Sequence, residues 1–383
     1  MIKKEVAILD FGSSKVTVLI AERGVNNTFN IKGTGEIEYA GYYEGKFLEP
    51  EKVKLAVGLA INNAETTARS RITKLYVAVP GEFLTVACRE AQITFPRKKK
   101  INESDIDELF FAGDPFKKNP THTVINNTPI YFTLDDDRRI IEPRGMTSTR
   151  LGGYISYSLA ENNFLDFVEE MLEDLGIRST KYISSPLAES MLLFEPETRD
   201  RYAILVDCGH ISTSVMLVRG DGLLFLNSFS MGGGHITGDL SQCLKISFYQ
   251  AESLKRKVVL SLMADESDFY EIAGKDYMIP FSAKTTNEIV GERINLIASF
   301  IMKCFTRCEY DFPDYIPVYL TGGGLSYIKG ARDYLSKRIG RKVEIVSPPV
   351  PGLNRPHFST ALGVLDIALD IENGKSTSII KYI

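Results

Sequence analysis

Three stretches of this chain carry residue types that can approach an anion closely. The first is Asp10-Phe11-Gly12-Ser13-Ser14-Lys15, set between the apolar runs 6–9 and 16–20. The second is Asp207-Cys208-Gly209-His210-Ile211-Ser212-Thr213-Ser214, set between 203–206 and 215–218. A buried strand that ends in Asp and Gly and returns as a second strand is a hairpin whose tip can face a phosphate. Two such hairpins far apart in one chain predict two similar halves facing each other across one ligand. The third stretch, Val318-Tyr319-Leu320-Thr321-Gly322-Gly323-Gly324, reads as a strand ending in a glycine loop before a helix, where backbone N–H groups can come close to a nucleotide.

The elements that must position these loops follow from periodicity. Residues 2–20 predict two strands and 29–39 a third. Pro50 opens a helix over 51–70, in which Val53, Ala56, Val57, Ala60, Ile61 and Ala64 recur at helical spacing. Residues 75–79 read as a buried strand. From 83 to 159 the character changes to polar, alternating strands at 84–94, 123–124, 130–134 and 154–159, with a helix start at Asn102-Glu103-Ser104-Asp105. This predicts a small inserted α+β domain. Its run Arg97-Lys98-Lys99-Lys100 is either a binding patch or a solvated turn, and its place before a helix cap favours the turn. The main fold resumes with a helix over 164–175 stopped by Gly176, a strand at 181–184 and a helix opened by Ser185-Pro186. After the second hairpin come a helical region to 263, a polar stretch 265–276, a helix over 294–308, a strand at 343–345 and a closing helix over 359–368.

With 383 residues the chain can hold more than one core. A net charge of −4 and a pI near 5.8 give no bulk reason to bind nucleic acid or anionic lipid. Five cysteines without a repeated metal-ligand spacing predict a reduced, cytosolic protein. Cys304 and Cys308, four apart on a helix, read as core positions rather than a metal site. No apolar run approaches the ~18 residues of a membrane span, and the N-terminus enters a strand without a signal-peptide pattern.

The order of these loops resembles the actin and heat-shock ATPase superfamily. Within it the chain resembles FtsA, the bacterial cell-division actin homologues. The narrower signal is Gly232-Gly233-Gly234-His235-Ile236-Thr237-Gly238-Asp239 followed by Ser247-Phe248-Tyr249-Gln250-Ala251-Glu252-Ser253-Leu254-Lys255, similar to that family's Gly-Gly-x-His-Ile-Thr-x-Asp and Ser-Phe-x-x-Ala-Glu-x-Leu-Lys runs. The resemblance implies an α/β actin-like ATPase fold, two ribonuclease H-like lobes with an inserted small α+β domain of the SHS2 or 1C type. Its expected boundaries are 1–82 plus 160–200 for lobe I, with the closing helix 359–374; 83–159 for the insert; and 201–358 for lobe II, divided into 2A (201–240 and 310–358) and 2B (241–309).

The same resemblance implies ATP and magnesium as ligands. Asp10 and Asp207 match the aspartates that face the metal through its waters, which magnesium gives up reluctantly, and they are the candidate catalytic pair. Gly12, Ser13, Ser14 and Lys15 match the first phosphate loop; Gly209, Ser212, Thr213 and Gly234 belong with the second; Gly322, Gly323 and Gly324 match the adenosine loop; and Glu252 with Lys255 match the helix lining the purine and ribose. It further implies a cytoplasmic protein recruited to the division site at the inner face of the membrane, which contacts FtsZ and other division proteins, self-associates into filaments and does not bind nucleic acid.

Departures from the family pattern sharpen these expectations. Its second loop usually reads Asp-x-Gly-Gly-Gly-Thr-Thr-Asp. Here His210 and Ile211 stand for two glycines and Ser214 for the final acid, so a loop less able to cradle phosphate and weak or absent hydrolysis are expected. His210 is either a phosphate donor or a structural loop residue. Glu189 alone offers a carboxylate near the helix start where such ATPases position water. The segment 374–383 is too short for the family's basic amphipathic helix, so membrane contact is expected only through a partner, with Ile379, Ile380, Tyr382 and Ile383 left to dock on one. Two other readings stay open: a nucleotide-independent scaffold similar to the pilus-assembly homologue PilM, which binds a membrane-protein tail, and, more remotely, a small-molecule kinase of the same superfamily.

Overall fold

A computed structural model describes residues 4–374 except 26, 27, 44, 115, 117, 118, 275 and 276. The C-terminal segment 375–383, with its expected docking residues, lies outside the described residues. Lobe I begins with β1 (Glu5–Phe11), β2 (Lys15–Arg23) and β3 (Phe29–Glu38), then a two-stranded hairpin of β4 (Tyr42–Tyr43) and β5 (Lys46–Phe47), helix α1 (Pro50–Ala68) and β6 (Lys74–Val79). The insert follows as β7 (Leu84–Lys100), α2 (Glu103–Ala112), β8 (His122–Thr133), β9 (Arg139–Ile140) and β10 (Thr147–Glu161). Then come α3 (Asn162–Asp174), β11 (Ser179–Ser184), α4 (Ser185–Leu193) and α5 (Pro196–Asp200). Lobe II contains β12 (Ala203–Cys208), β13 (Thr213–Arg219), β14 (Gly222–Phe229), α6 (Gly233–Leu244), α7 (Phe248–Lys255), β15 (Phe269–Ala273), β16 (Met278–Ser282), α8 (Ala283–Arg307), β17 (Val318–Thr321), α9 (Ala331–Ile339) and β18 (Val343–Ile345), before α10 (Ser359–Glu372) returns to lobe I.

The two main sheets have the same plan. One runs β11-β6-β1-β2-β3 and the other β14-β13-β12-β17-β18, in reverse listing the same arrangement of an antiparallel three-strand meander with two parallel strands added beside its first strand. Because β1 is covered on both faces, it reads as a continuous apolar run rather than an alternating one. Ala7 and Leu9 face the cluster built with α1 and α3, whereas Val6 and Ile8 face α10. Helices α4 and α10 fill the space between the sheets. Ala188 of α4 packs with α10 and Leu187 packs on Leu205 and Met216 of the second sheet. This sandwich brings the β1–β2 and β12–β13 turns face to face.

The insert departs from its expected outline. Its strands are longer than their apolar cores: β7 runs to Lys100, so the basic run is the exposed end of a strand paired with β10 and not a turn. The segments at 123–124 and 130–134 are one strand, β8, because its register shifts past Pro129 against β10 instead of breaking there. Helix α2 starts as expected, with a capping box in which Asn102 and Asp105 exchange side-chain bonds to backbone N–H groups. In lobe II the helical region to 263 ends at Lys255, the polar stretch holds the β15–β16 hairpin, and α8 starts eleven residues earlier than its apolar core suggested. Strand β14 carried no expectation at all. None of the described helices is long and apolar enough to cross a membrane.

Candidate functional site

The facing turns enclose a cavity of about 650 Å³ between the lobes. Asp10 is the penultimate residue of β1 and Asp207 of β12, each just before its strand turns. Among the described residues neither carboxylate has a hydrogen bond or ion pair. Burial, then the facing Asp207, push the Asp10 carboxyl up to about 7 despite the pull of Lys15. Burial pushes Asp207 up to about 6. Glu189, from α4, also lines the cavity and accepts from the Thr360 hydroxyl at 2.6 Å. Burial and the nearby Asp207 hold its pKa well above the usual carboxylate range. Three desolvated carboxyls with so little cationic compensation form a site that a divalent cation would stabilise. No group of three His, Cys, Asp or Glu side chains among the described residues is placed to hold a metal ion directly. A cation here therefore fits a shell completed by water and phosphate oxygens, which suits magnesium.

The first loop is tied from outside: Tyr39 donates to the Gly12 carbonyl at 2.7 Å, and the Ile211 N–H donates to the Ser13 hydroxyl at 2.9 Å. Lys15 lines the cavity but pairs with Glu36 at 2.7 Å. In the second loop neither His210 nor Ile211 takes a positive φ, so the expected backbone conflict at Ile211 does not arise. The Ile211 side chain instead packs on the core of lobe I. His210 stays on the cavity wall, its pKa lowered by burial and then by Lys255, with its ring over Gly234. A Cβ at 234 would lie 2.6 Å from its Nε2, so a larger residue there would have to displace the ring. The Gly233 and Gly234 N–H groups donate to the Gly209 and His210 carbonyls at 2.9 and 2.7 Å, which consumes donors at the start of α6.

Most of the expected residues line this one cavity: Gly12, Ser13, Ser14, Lys15, Gly209, Ser212, Glu252, Lys255, Gly322, Gly323 and Gly324 together with the two aspartates. Thr213 and Gly234 do not. The Thr213 side chain is turned inward and donates to the Met231 carbonyl at 2.6 Å, and Gly234 lies beneath His210. The glycine loop also differs from expectation, because α9 begins only at Ala331 and no helix start follows Gly324 directly. What brings Gly322 close is its φ of +83° and its position against Asp207: a Cβ would lie 2.2 Å from Oδ1. Gly322→Ala is accordingly expected to cost at least about 2 kcal/mol, from left-handed strain and displacement of the carboxylate, measured by urea unfolding. A loss under about 0.5 kcal/mol, the size of an ordinary surface change, would show that the loop rearranges freely.

The Gly-His-Ile-Thr and Ala-Glu-x-Leu-Lys runs are explained by one network. Lys255, buried, donates to the Gly233 carbonyl (3.0 Å) and the Thr237 hydroxyl (2.9 Å) and pairs with Glu252 (2.6 Å). Thr237 donates to Glu252 at 2.7 Å, His235 Nδ1 accepts from the Gly232 N–H, and Asp239 takes both prongs of Arg293 at 2.6 and 2.7 Å. The motif thus fixes α6 against α7 and α8 and seats the second loop. The cavity also draws in Glu36, Arg256, Tyr327, His357 and Thr360, which no spacing marked. Tyr327 and His357 hydrogen-bond to each other at its mouth. They come from separate loops, and only folding makes them neighbours.

Duplicated sheets with facing Asp-x-Gly turns define an actin-like ATPase fold with an inserted SHS2 domain. The fold matches that of the MreB5 protein of Spiroplasma citri bound to ADP (TM-score 0.58, 10% identity, 98% of this chain and 99% of that one) and that of the PilM-PilN type IV pilus biogenesis complex (TM-score 0.62, 17% identity, 96% and 99%). Residues 204–363 match the family of the cell division protein FtsA, and residues 81–156 match the SHS2 domain inserted in FtsA. Similar proteins include the cell division protein FtsA of Streptococcus pneumoniae (26% identity, 94% of this chain and 79% of that protein) and of Neisseria meningitidis (23%, 97% and 91%). The chain belongs to the FtsA family of cell-division proteins.

Proposed function

We propose that this chain is an FtsA-like adaptor of bacterial cell division that binds ATP with magnesium between its lobes. In this reading it links FtsZ to other division proteins at the inner face of the membrane, and self-associates into filaments. The observation that carries the nucleotide part is the pair of unpaired carboxylates, Asp10 and Asp207, facing one cavity lined by three glycine-containing loops. Magnesium, when bound, would neutralise these carboxylates and the phosphate charge. Gly12, Ser13 and Ser14 would face the phosphates from lobe I and Gly209 and Ser212 from lobe II. Gly322–Gly324 would flank the adenosine, with Glu252 and Lys255 on its ribose side and the exposed Tyr327 ring available to a base.

Hydrolysis is expected to be slow or absent. Ser214, where the family carries an acid, is tied to Ser228 at 2.8 Å. Glu189, the acid that α4 brings to the wall, has its pKa raised by burial and by the nearby Asp207, which disfavours the ionised form a general base needs. The test is a thermal melt with and without millimolar ATP and magnesium, beside a phosphate-release assay. A raised melting temperature with little release is expected. Turnover on the order of 10 per second, lost in Asp10→Ala, would refute slow hydrolysis.

A second reading, a scaffold that ignores nucleotide and holds the tail of a membrane protein, is favoured by one feature. A groove of about 370 Å³ lies between the first half of β8, before the stretch that β9 pairs with, and the edge strand β11, lined by Thr123, Ile125, Asn162, Lys181 and Tyr182. Facing strand edges can accept an added strand from an extended peptide. An unchanged melting curve at millimolar ATP would favour this reading over the first.

A further inference from the structure

The insert is joined covalently to lobe I, yet much of its non-covalent footing is on lobe II, along one strand. At one end of β14 the backbone turn 220–223 is pressed into the insert sheet. Ser156 of β10 donates to the Leu223 carbonyl at 2.6 Å, Cys88 of β7 donates to the same oxygen at 3.4 Å, and the Asp221 N–H donates to the Pro129 carbonyl at 3.2 Å. The fit leaves no slack: a Cβ on Gly222 would lie 2.8 Å from that of Ser156. Beside it, the Tyr154 hydroxyl meets that of Tyr310 at 2.7 Å.

The other end of β14 reaches the second phosphate-facing loop. Ser228 pairs with Ser214 in register and by hydroxyl contact, and Thr213 holds the carbonyl of Met231. The root of the insert touches the same place. A Cβ on Gly81 would lie 2.6 Å from the Ser214 hydroxyl oxygen. Glu82 accepts from Ser230 at 3.0 Å and from Tyr42 of lobe I. The faces in contact combine small polar groups, with Thr128 and Ser156 buried there, and apolar ones, since Cys88 and Ile130 of the insert are buried in the core of lobe II with Val86, Tyr131 and Tyr154 packed against it. Because the insert and β14 share close packing there, a displacement of one carries the other with it.

We propose that β14, with Glu82 as the positioning residue at its lower end, couples the cavity to the insert. A ligand that seats against Ser212 and Ser214 shifts the insert, and a partner held by the insert changes the cavity's affinity for that ligand by the same factor. The coupling rests on the nucleotide reading only for the identity of the ligand.

Hydrogen exchange of the full chain without ligand tests the mechanical link by itself. Gly222→Ala wedges the clasp open and Ser156→Ala removes one of its bonds. Both are expected to speed exchange of the amides at 209–214, which neither residue touches. The wedge should give about tenfold, within the usual span of coupling between sites, and Ser156→Ala a smaller change. Glu82→Ala should loosen the amides of the insert at 84–88 and Glu82→Gln should restore most of the protection. Unchanged exchange at 209–214 overturns the proposal, and so does equal acceleration throughout β1 and β6, which would mean general loosening. If Gly222→Ala does not fold, Ser156→Ala decides. Calorimetry with ATP and magnesium then separates the two ideas: no binding by the wild type refutes the nucleotide reading and leaves the exchange result to decide the coupling, while binding should weaken about tenfold in Gly222→Ala.

Discussion

Asp207→Asn is expected to melt at a higher temperature than the wild type at pH 8 without nucleotide, and to lose the rise that ATP with magnesium gives. The folded Asp10 and Asp207 carboxyls bind their protons up to about 7 and about 6, whereas an unfolded aspartate releases its proton near 4. Between those values the native state holds more protons than the unfolded chain, so stability falls as the pH rises through that window. At pH 8 both carboxylates are charged in the protein's interior with only Lys15 to offset them, at a cost of about 3–4 kcal/mol each. Removing one charge abolishes its own burial cost and relieves the other of a like neighbour. A gain of a few degrees is expected, shrinking as the pH is lowered from 8 through 6 toward 4. The wild type should recover the same cost when a cation arrives, and at a hundred times its dissociation constant the ligand adds about 2.7 kcal/mol. Melting curves at pH 5 and pH 8, with and without ligand, check both halves. A variant that melts lower than wild type at pH 8, or that keeps the full ligand-induced rise, would show that these carboxylates do not form the cation site.

Lys255→Met should be the most damaging single change outside the sheets, costing about 2–3 kcal/mol in urea unfolding. Breaking a buried ion pair commonly costs more, but the Glu252 side chain retains 27% of its exposure and water softens the loss. Burial opposes the Glu252 charge, yet Lys255, Thr237 and Arg256 together hold its pKa down at about 2. That depressed value makes a contribution to stability that is present above about 4.3 and lost as the pH falls toward 2. In Lys255→Met the contribution and its pH dependence should shrink, while the Gly233 carbonyl and Glu252 lose the lysine donor and keep Thr237. Adding Glu252→Gln should restore part of the stability, because a neutral amide is cheaper to leave unpaired. If Lys255→Met unfolds at the wild-type urea concentration, the motif's lysine is not what fastens α7 to the start of α6.

Some of this was legible in the residues. The duplicated hairpins were, because buried strands of one sheet show as unbroken apolar runs and the turns between them must be Asp- and Gly-rich. Helix α1 was legible for a similar reason: its six buried residues repeat at helical spacing behind Pro50. The long strands of the insert were not. Beyond their apolar middles β7 and β10 are held by backbone pairing with each other, and a ladder of main-chain bonds leaves no trace in side-chain type. The hairpin β15–β16 escaped for the same reason, since its exposed strands alternate weakly.

At the site, sequence alone determined the groups near strand ends: Asp10, Asp207 and the glycines beside them, whose positions depend on local turns. It also determined that Glu252 and Lys255 share a helix face, since three residues is nearly one turn. Tertiary structure alone decided that Thr213 and Gly234 stand behind the cavity and not on it, and that Ile211 faces lobe I. It also decided that Lys15 is held by Glu36, and that Glu189, Tyr327 and the pair His357 and Thr360 converge from three separate segments. The physical reason is that a side chain's direction within a turn depends on what packs against the turn, and the packing partners here lie up to hundreds of residues away in the chain.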